Sequence, residues 1–201
     1  MGEVKNPPVM NLGRLLTDSA RRLPDRPALV WGDRTWTRAE VNARVDALAT
    51  ALSRRGLGKG DAVLVQARNS NQMFESMWAV FKLGGIWVPT NYRLTPVEVA
   101  YLGASSGARA MLCDDSFPQH ADAARRASQA LQHVIAIGQA RDGEEAYEDL
   151  VAEGRGAALD EAEVDYDDPC WFFYTSGTTG RPKAAVLTHG QLAFVTNNHL
   201  A

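Results

Sequence analysis

Nine consecutive residues, Thr175-Ser176-Gly177-Thr178-Thr179-Gly180-Arg181-Pro182-Lys183, gather four hydroxyls, two glycines and a lysine in one short stretch. Glycines let a backbone turn with positive φ and approach an anion closely, so that main-chain N–H groups face it. Hydroxyls donate to phosphate oxygens, and a lysine supplies a compact positive charge. This is equipment for a polyphosphate. With ordinary residue usage, the pattern [ST][ST]G[ST][ST]GxPK should arise by chance in on the order of one chain in a million. The loop is not a Walker A loop, which needs glycine just before the lysine and serine or threonine after it. Here Pro182 precedes Lys183 and Ala184 follows.

Other reactive side chains are scattered. His189, after Thr188, reads as a cap or turn histidine, while His120, His133 and His199 have no partners at metal-ligand spacing. Cys113 and Cys170 fall in apolar runs and read as buried small hydrophobes, not nucleophiles. Asp114-Asp115 reads as the end of a strand.

Elements that could position the loop alternate between helix and strand, the pattern of an α/β fold with a largely parallel sheet. The CWFFY run Cys170–Tyr174 reads as a short buried strand entering the loop, and Ala184–Leu187 as a strand leaving it. Upstream, Leu12, Leu15, Leu16, Ala20 and Leu23 share a helical face that Pro24 ends. Ala28–Trp31 and Thr35–Thr37 flank Gly32-Asp33-Arg34 as a hairpin. Thr37-Arg-Ala-Glu40 and Thr95-Pro-Val-Glu98 are capping boxes that each start a helix. Ser70 caps another, whose Met73, Phe74, Met77, Trp78 and Phe81 form a stripe expected to be core. Strands are expected at Ala62–Ala67, Ile86–Pro89, Arg109–Cys113 and His133–Ile137, with a helix around Ala121–Leu131. The last residues read as a helix without a stop signal, as in a truncated chain.

The chain has 201 residues, 45% apolar and 22% charged, enough for a sizeable core. Its net charge of −3 is unevenly spread: residues 141–168 hold twelve acids against Arg141 and Arg155, so the remainder carries +7. That acidic stretch reads as a solvated linker or excursion. The last 33 residues contain Arg181 and Lys183 and no acid. No stripe of basic residues interleaved with aromatics points to nucleic acid. The two cysteines allow no disulfide framework, and a reducing cytoplasm fits best. The start lacks an apolar leader, and Lys82 and Gly84-Gly85 interrupt the most apolar run, leaving no transmembrane segment.

Tyr174 to His189, YTSGTTGRPKAAVLTH, resembles the phosphate-binding motif of the adenylate-forming enzymes: acyl-CoA synthetases, firefly luciferase and peptide-synthetase adenylation domains. Gly56-Leu-Gly-Lys-Gly-Asp61, the AVLVQARNS run from Ala62 and KLGGIWVPTNYRLTP from Lys82 are similar to that family's N-terminal region, so the likeness runs from about Leu12 onward. It implies that residues 1–201 are the N-terminal portion of an AMP-binding synthetase or ligase domain, with a flexible start over 1–10 and a truncated phosphate-loop segment over 169–201. The implied fold is an α/β unit followed by a strand–phosphate loop–strand unit. The implied activity is ATP-dependent conversion of a carboxylic acid, a fatty acid above all, to acyl-adenylate and then acyl-CoA, with Mg²⁺ and CoA, in a longer enzyme that forms a homodimer. Such a fragment alone would be inactive. By the same resemblance Thr175, Ser176, Gly177, Thr178, Thr179 and Gly180 would cradle the outer phosphates, Lys183 would neutralise the departing pyrophosphate, and Thr175 would stand near Mg²⁺. Ala184-Ala185 departs from the Gly-Val that many members have after the lysine. Another adenylating enzyme, or a non-catalytic nucleotide-binding module, fits the same residues.

Overall fold

A computed structural model describes residues 8–175 and 181–200. The elements are β1 (Pro8–Val9), α1 (Gly13–Arg22), β2 (Pro27–Trp31), β3 (Arg34–Thr37), α2 (Arg38–Arg54), β4 (Ala62–Gln66), α3 (Asn71–Lys82), β5 (Ile86–Pro89) and α4 (Pro96–Ser106). They continue with β6 (Ala110–Asp114), α5 (Pro118–Ala127), β7 (His133–Ile137), β8 (Glu145–Ala146), α6 (Tyr147–Gly154), β9 (Val164–Asp165), β10 (Pro169–Thr175), β11 (Lys183–Thr188) and α7 (His189–Leu200).

A seven-stranded sheet in the order β11-β10-β5-β4-β6-β7-β8 forms the centre. Every neighbouring pair is parallel except β10 with β11. Parallel strands covered on both faces read as continuous apolar runs, and all five residues of β4 (AVLVQ) are buried. Leu52, Val65, Phe81 and Leu150 belong to a core on one face, built with α1, α2, α3 and α6. Leu64, Leu102, Met111 and Ala124 belong to a second core under α4 and α5. Among the described residues, no helix is long and apolar enough to cross a membrane.

Local rules account for the starts of the helices. Thr37 accepts from the Glu40 amide while Glu40 accepts from the Thr37 amide, and Thr95 and Glu98 do the same. Each box satisfies two of the donors that a helix N-terminus leaves open. Pro96 adds a preset φ at the first turn, and Gly107 closes α4 with φ 64°, where a side chain would be strained. The expected hairpin is present as β2–β3.

Four expectations need correction. First, the acidic segment is not a linker. Tyr147, Leu150, Val151 and Gly154, spaced as one helical face, are buried, and α6 packs on α2. Its acids meet bases from distant elements: Glu148 pairs with Arg44, Glu145 and Glu153 with Arg55, and Asp168 with Lys59. Second, the start is not wholly free, because Pro8–Val9 pairs with Val164–Asp165. Third, the aromatic stripe of α3 is only partly core. Met73, Phe74, Met77 and Trp78 are half-buried, whereas the deepest face carries Glu75 and Lys82, both 0% exposed. Glu75 accepts from Arg44 at 2.7 Å and from the Tyr147 hydroxyl at 2.8 Å. Burial first, then the Glu75 charge, push the Tyr147 hydroxyl well above its usual range, so it stays a donor. Lys82 Nζ donates to Thr17, Asn42 and Asp46 at 2.6, 2.8 and 2.5 Å. A buried charge is tolerable only when partnered this fully. Fourth, the Cys170–Tyr174 strand is not uniformly buried. Cys170 is, but Phe173 is 50% exposed.

Candidate active site

The candidate site sits at the end of the sheet where the chain turns back. β10 runs parallel to β5, in register at Trp171 and Trp87, so Thr175 lies at the carboxyl edge of the parallel strands. That edge also holds Gln66 at the end of β4 and Thr90 just after β5, both buried and hydrogen-bonded to each other. β4 leads into α3 on one face of the sheet and β5 into α4 on the other. Crevices outside strand carboxyl ends, where successive crossovers part in this way, are where open α/β sheets bind ligands.

β10 and β11 pair antiparallel, with Thr175 opposite Lys183. The two residues are thus cross-strand neighbours that close the loop between them. Directly opposed side chains lie on the same face of a pair, so the Thr175 hydroxyl and the Lys183 ammonium share a side. Both are exposed. Ser176, Gly177, Thr178, Thr179 and Gly180 lie outside the described residues. The expected strand–loop–strand order holds, in contrast to the strand–loop–helix of a Walker A site.

Sequence reasoning missed what holds this hairpin. Tyr174 and Ser105 of α4 share a hydrogen bond, with their oxygens 2.7 Å apart. Tyr101, one turn earlier, donates its hydroxyl to the Pro182 carbonyl at 3.5 Å. The Arg181 guanidinium carbon lies 5.6 Å from the centre of the Tyr101 ring. A four-residue spacing on one helix face was the available signal, but nothing local linked it to the loop. Also missed was a third capping box: Thr188 accepts from the Gln191 amide and Gln191 from the Thr188 amide, each at 3.2 Å, starting α7.

The remaining reactive residues have structural places. His189 is fully buried, accepts from the Leu12 amide at Nδ1 (3.3 Å) and meets Phe81 edge-on. Burial lowers its pKa to about 4 against the pull of Asp168, so the ring is neutral at pH 7. His120 Nε2 meets the Leu94 carbonyl at 2.8 Å, and His133 meets Glu145 at 3.2 Å. Burial pushes both the Cys113 and Cys170 thiols up to about 12, which leaves neither a thiolate. Asp114 and Asp115 accept from the Ser116 and Gln139 amides, as strand-ending turn residues do.

Comparison with known proteins bears on the family and the fold. The family described as "AMP-binding enzyme" matches residues 16–200. A feruloyl-CoA synthase from Amycolatopsis sp is 34% identical over 185 residues, covering 91% of this chain and 34% of the relative. A 3-hydroxybenzoate–CoA ligase from Aromatoleum sp. (strain CIB) is 33% identical over 172 residues, covering 85% and 32%. The crystal structure of the anthranilate CoA ligase AuaEII with anthranoyl-AMP superposes with a TM-score of 0.89 at 26% identity, over 95% of this chain and 37% of that one. The N-terminal domain of FACL13 from Mycobacterium tuberculosis gives 0.75 at 31% identity, over 90% and 45%. The chain spans about a third of the length of the curated relatives it matches.

Proposed function

The chain belongs to the AMP-binding enzyme family, and from that premise we propose that it carries the polyphosphate loop of an enzyme that activates a carboxylic acid with ATP and passes the acyl group to CoA. The observation that carries this reading is the Thr175–Lys183 pair, which closes a hydroxyl- and glycine-rich loop at the carboxyl edge of a parallel sheet.

In the first half-reaction a carboxylate oxygen attacks the α-phosphorus of ATP in line. The bond to the bridging oxygen breaks, leaving acyl-adenylate and pyrophosphate. Such a step needs positioning and charge neutralisation more than covalent help. Backbone N–H groups and hydroxyls of Thr175, Ser176, Gly177, Thr178, Thr179 and Gly180 would hold the β- and γ-phosphates. Lys183 would offset the charge gathering on the leaving pyrophosphate. The Thr175 hydroxyl is an oxygen donor of the kind Mg²⁺ takes. Residues 169–201 contain no acid, and among the described residues no group of three or more His, Cys, Asp or Glu side chains could hold a metal. When bound, Mg²⁺ would supply further neutralisation of the phosphate charge.

The second half-reaction transfers the acyl group to the CoA thiol. We assign it no residue among the described ones. For the acid, the family resemblance implies a fatty acid above all, whereas two of the relatives are named for feruloyl and hydroxybenzoate substrates. A panel of fatty and aromatic acids, read as acid-dependent pyrophosphate release by an enzyme containing residues 1–201, decides between them. In that enzyme Lys183→Ala should slow adenylate formation by roughly 2–4 kcal/mol of barrier. Thioester formation from preformed acyl-adenylate should change much less, because no pyrophosphate leaves in that step. Equal slowing of both halves would overturn the role of Lys183. Mg-ATP binding without turnover on any acid would favour a non-catalytic nucleotide-binding module.

A further inference from the structure

The strand entering the loop and the strand leaving it are tied to the same helix. On the entry side Tyr174 meets Ser105 at 2.7 Å. On the exit side the Pro182 carbonyl accepts from Tyr101, whose ring lies beneath the Arg181 guanidinium. Tyr101 and Ser105 are four residues apart and so share one face of α4.

α4 is a rigid platform. A capping box and Pro96 start it, Gly107 ends it, and Val99 and Leu102 are buried beneath it at 0% and 1% exposure. The chain leading into it is held where His120 meets the Leu94 carbonyl. The hairpin needs such support. β11 is the outermost strand, and β10 is in register with β5 at Trp171, four residues before Thr175. Strand pairing alone therefore leaves the Thr175–Lys183 end projecting. Phe172 and Tyr174 pack against the second core, and beyond them the polar contacts with Tyr101 and Ser105 reach the loop end itself.

We propose that Tyr101 and Ser105 are positioning residues, which set the orientation of Thr175 and Lys183 toward a polyphosphate. This rests on the reading of that pair as a polyphosphate site. The Ser105–Tyr174 bond is solvent-exposed and the Tyr101–Pro182 bond only part-buried, so their loss removes little folding stability. Loss of orientation at a charged site, by contrast, lowers affinity directly.

The test is calorimetric titration of Mg-tripolyphosphate into the enzyme containing residues 1–201, with thermal unfolding measured on each variant. Ser105→Ala and Tyr174→Phe remove the same bond from its two ends. Each should weaken binding by about fivefold, the worth of one hydrogen bond, and the double variant should be no weaker than either alone. Ser105→Thr keeps the hydroxyl and should restore binding. Tyr101→Leu, which loses both the hydroxyl and the ring under Arg181, should weaken binding at least as much. Thermal midpoints should stay at the wild-type value in the Ser105 and Tyr174 variants, whose shared bond is solvent-exposed, whereas Tyr101→Leu also loses ring packing on the second core. If Lys183→Ala loses affinity while the α4 variants bind like wild type, the positioning role falls and the loop assignment stands. Affinity losses that follow losses of thermal midpoint would also overturn it, since the role would then be structural. If the wild-type enzyme binds no tripolyphosphate, both readings fall.

Discussion

The two ends of the central sheet are built on different terms. In the middle, Val63 and Val65 of β4 are 2% and 0% exposed, and α2, α3 and α6 lock over them with buried, fully partnered charges. At the β10–β11 end, Phe173 and Val186 are 50% and 48% exposed, and Thr175 and Lys183 face solvent. Burial decides the position of the first region. Lighter packing of Phe172 and Tyr174, with a few polar contacts to α4, decides the second. The difference teaches where each kind of substitution should register: in the scaffold on folding, at the loop end on ligand affinity.

The largest expected effect breaks the scaffold and leaves the site alone. Glu75→Ala removes the acceptor of Arg44 and Tyr147 in the interior. Stripping one partner from a buried charge pair costs about 3–5 kcal/mol. Urea denaturation should show that loss, while the folded fraction binds Mg-tripolyphosphate with unchanged affinity. A weaker affinity in proportion to the lost stability would erase the distinction between the two regions.

A second prediction concerns pH. His189 is neutral and buried, with a pKa of about 4 against an unfolded value near 6.5. Between those values the unfolded chain binds the extra proton, so stability rises with pH across this window and is lost as pH falls through it. The full loss amounts to about 3 kcal/mol, complete once pH is below about 4. Unfolding free energies measured from pH 7 to pH 4 should show this slope, and His189→Gln should flatten it. An unchanged slope in the variant would place the titrating group elsewhere.

The smallest effect sharpens the comparison at the platform itself. Thr95→Ala deletes the cap of α4, at a cost of about 1 kcal/mol. Because α4 also carries Tyr101 and Ser105, this variant should lose a little stability and a little tripolyphosphate affinity together. A stability loss with no change in affinity would mean that the helix start does not reach the loop.

Much of the scaffold was legible because its causes are local. The boxes at Thr37/Glu40 and Thr95/Glu98 carry their own partners three residues away. The β-branched run of β4 has one reading in a parallel sheet. The acidic segment was misread because a charge count sees no partners: Arg44 lies 104 positions from Glu148, and Arg55 lies 90 from Glu145. The helical spacing of Tyr147, Leu150 and Val151 was the signal that outweighed it. Glu75 and Lys82 on the deep face of α3 could not be inferred either, since Tyr147 reaches Glu75 across 72 positions. At the site, the hairpin pairing followed from two apolar runs around a glycine-rich loop. The α4 contacts, 69 and 81 positions away in sequence, did not.

The central claim is that the Thr175–Lys183 end of the hairpin is a polyphosphate site. Titration of Mg-tripolyphosphate into the wild-type enzyme containing residues 1–201 and into its Lys183→Ala variant tests it most directly, with thermal unfolding run on both. The account predicts saturable binding by the wild type and a loss of roughly 2–4 kcal/mol of binding free energy in the variant. The thermal midpoint should not move, because Lys183 is exposed. Equal affinity in the two proteins would contradict the account.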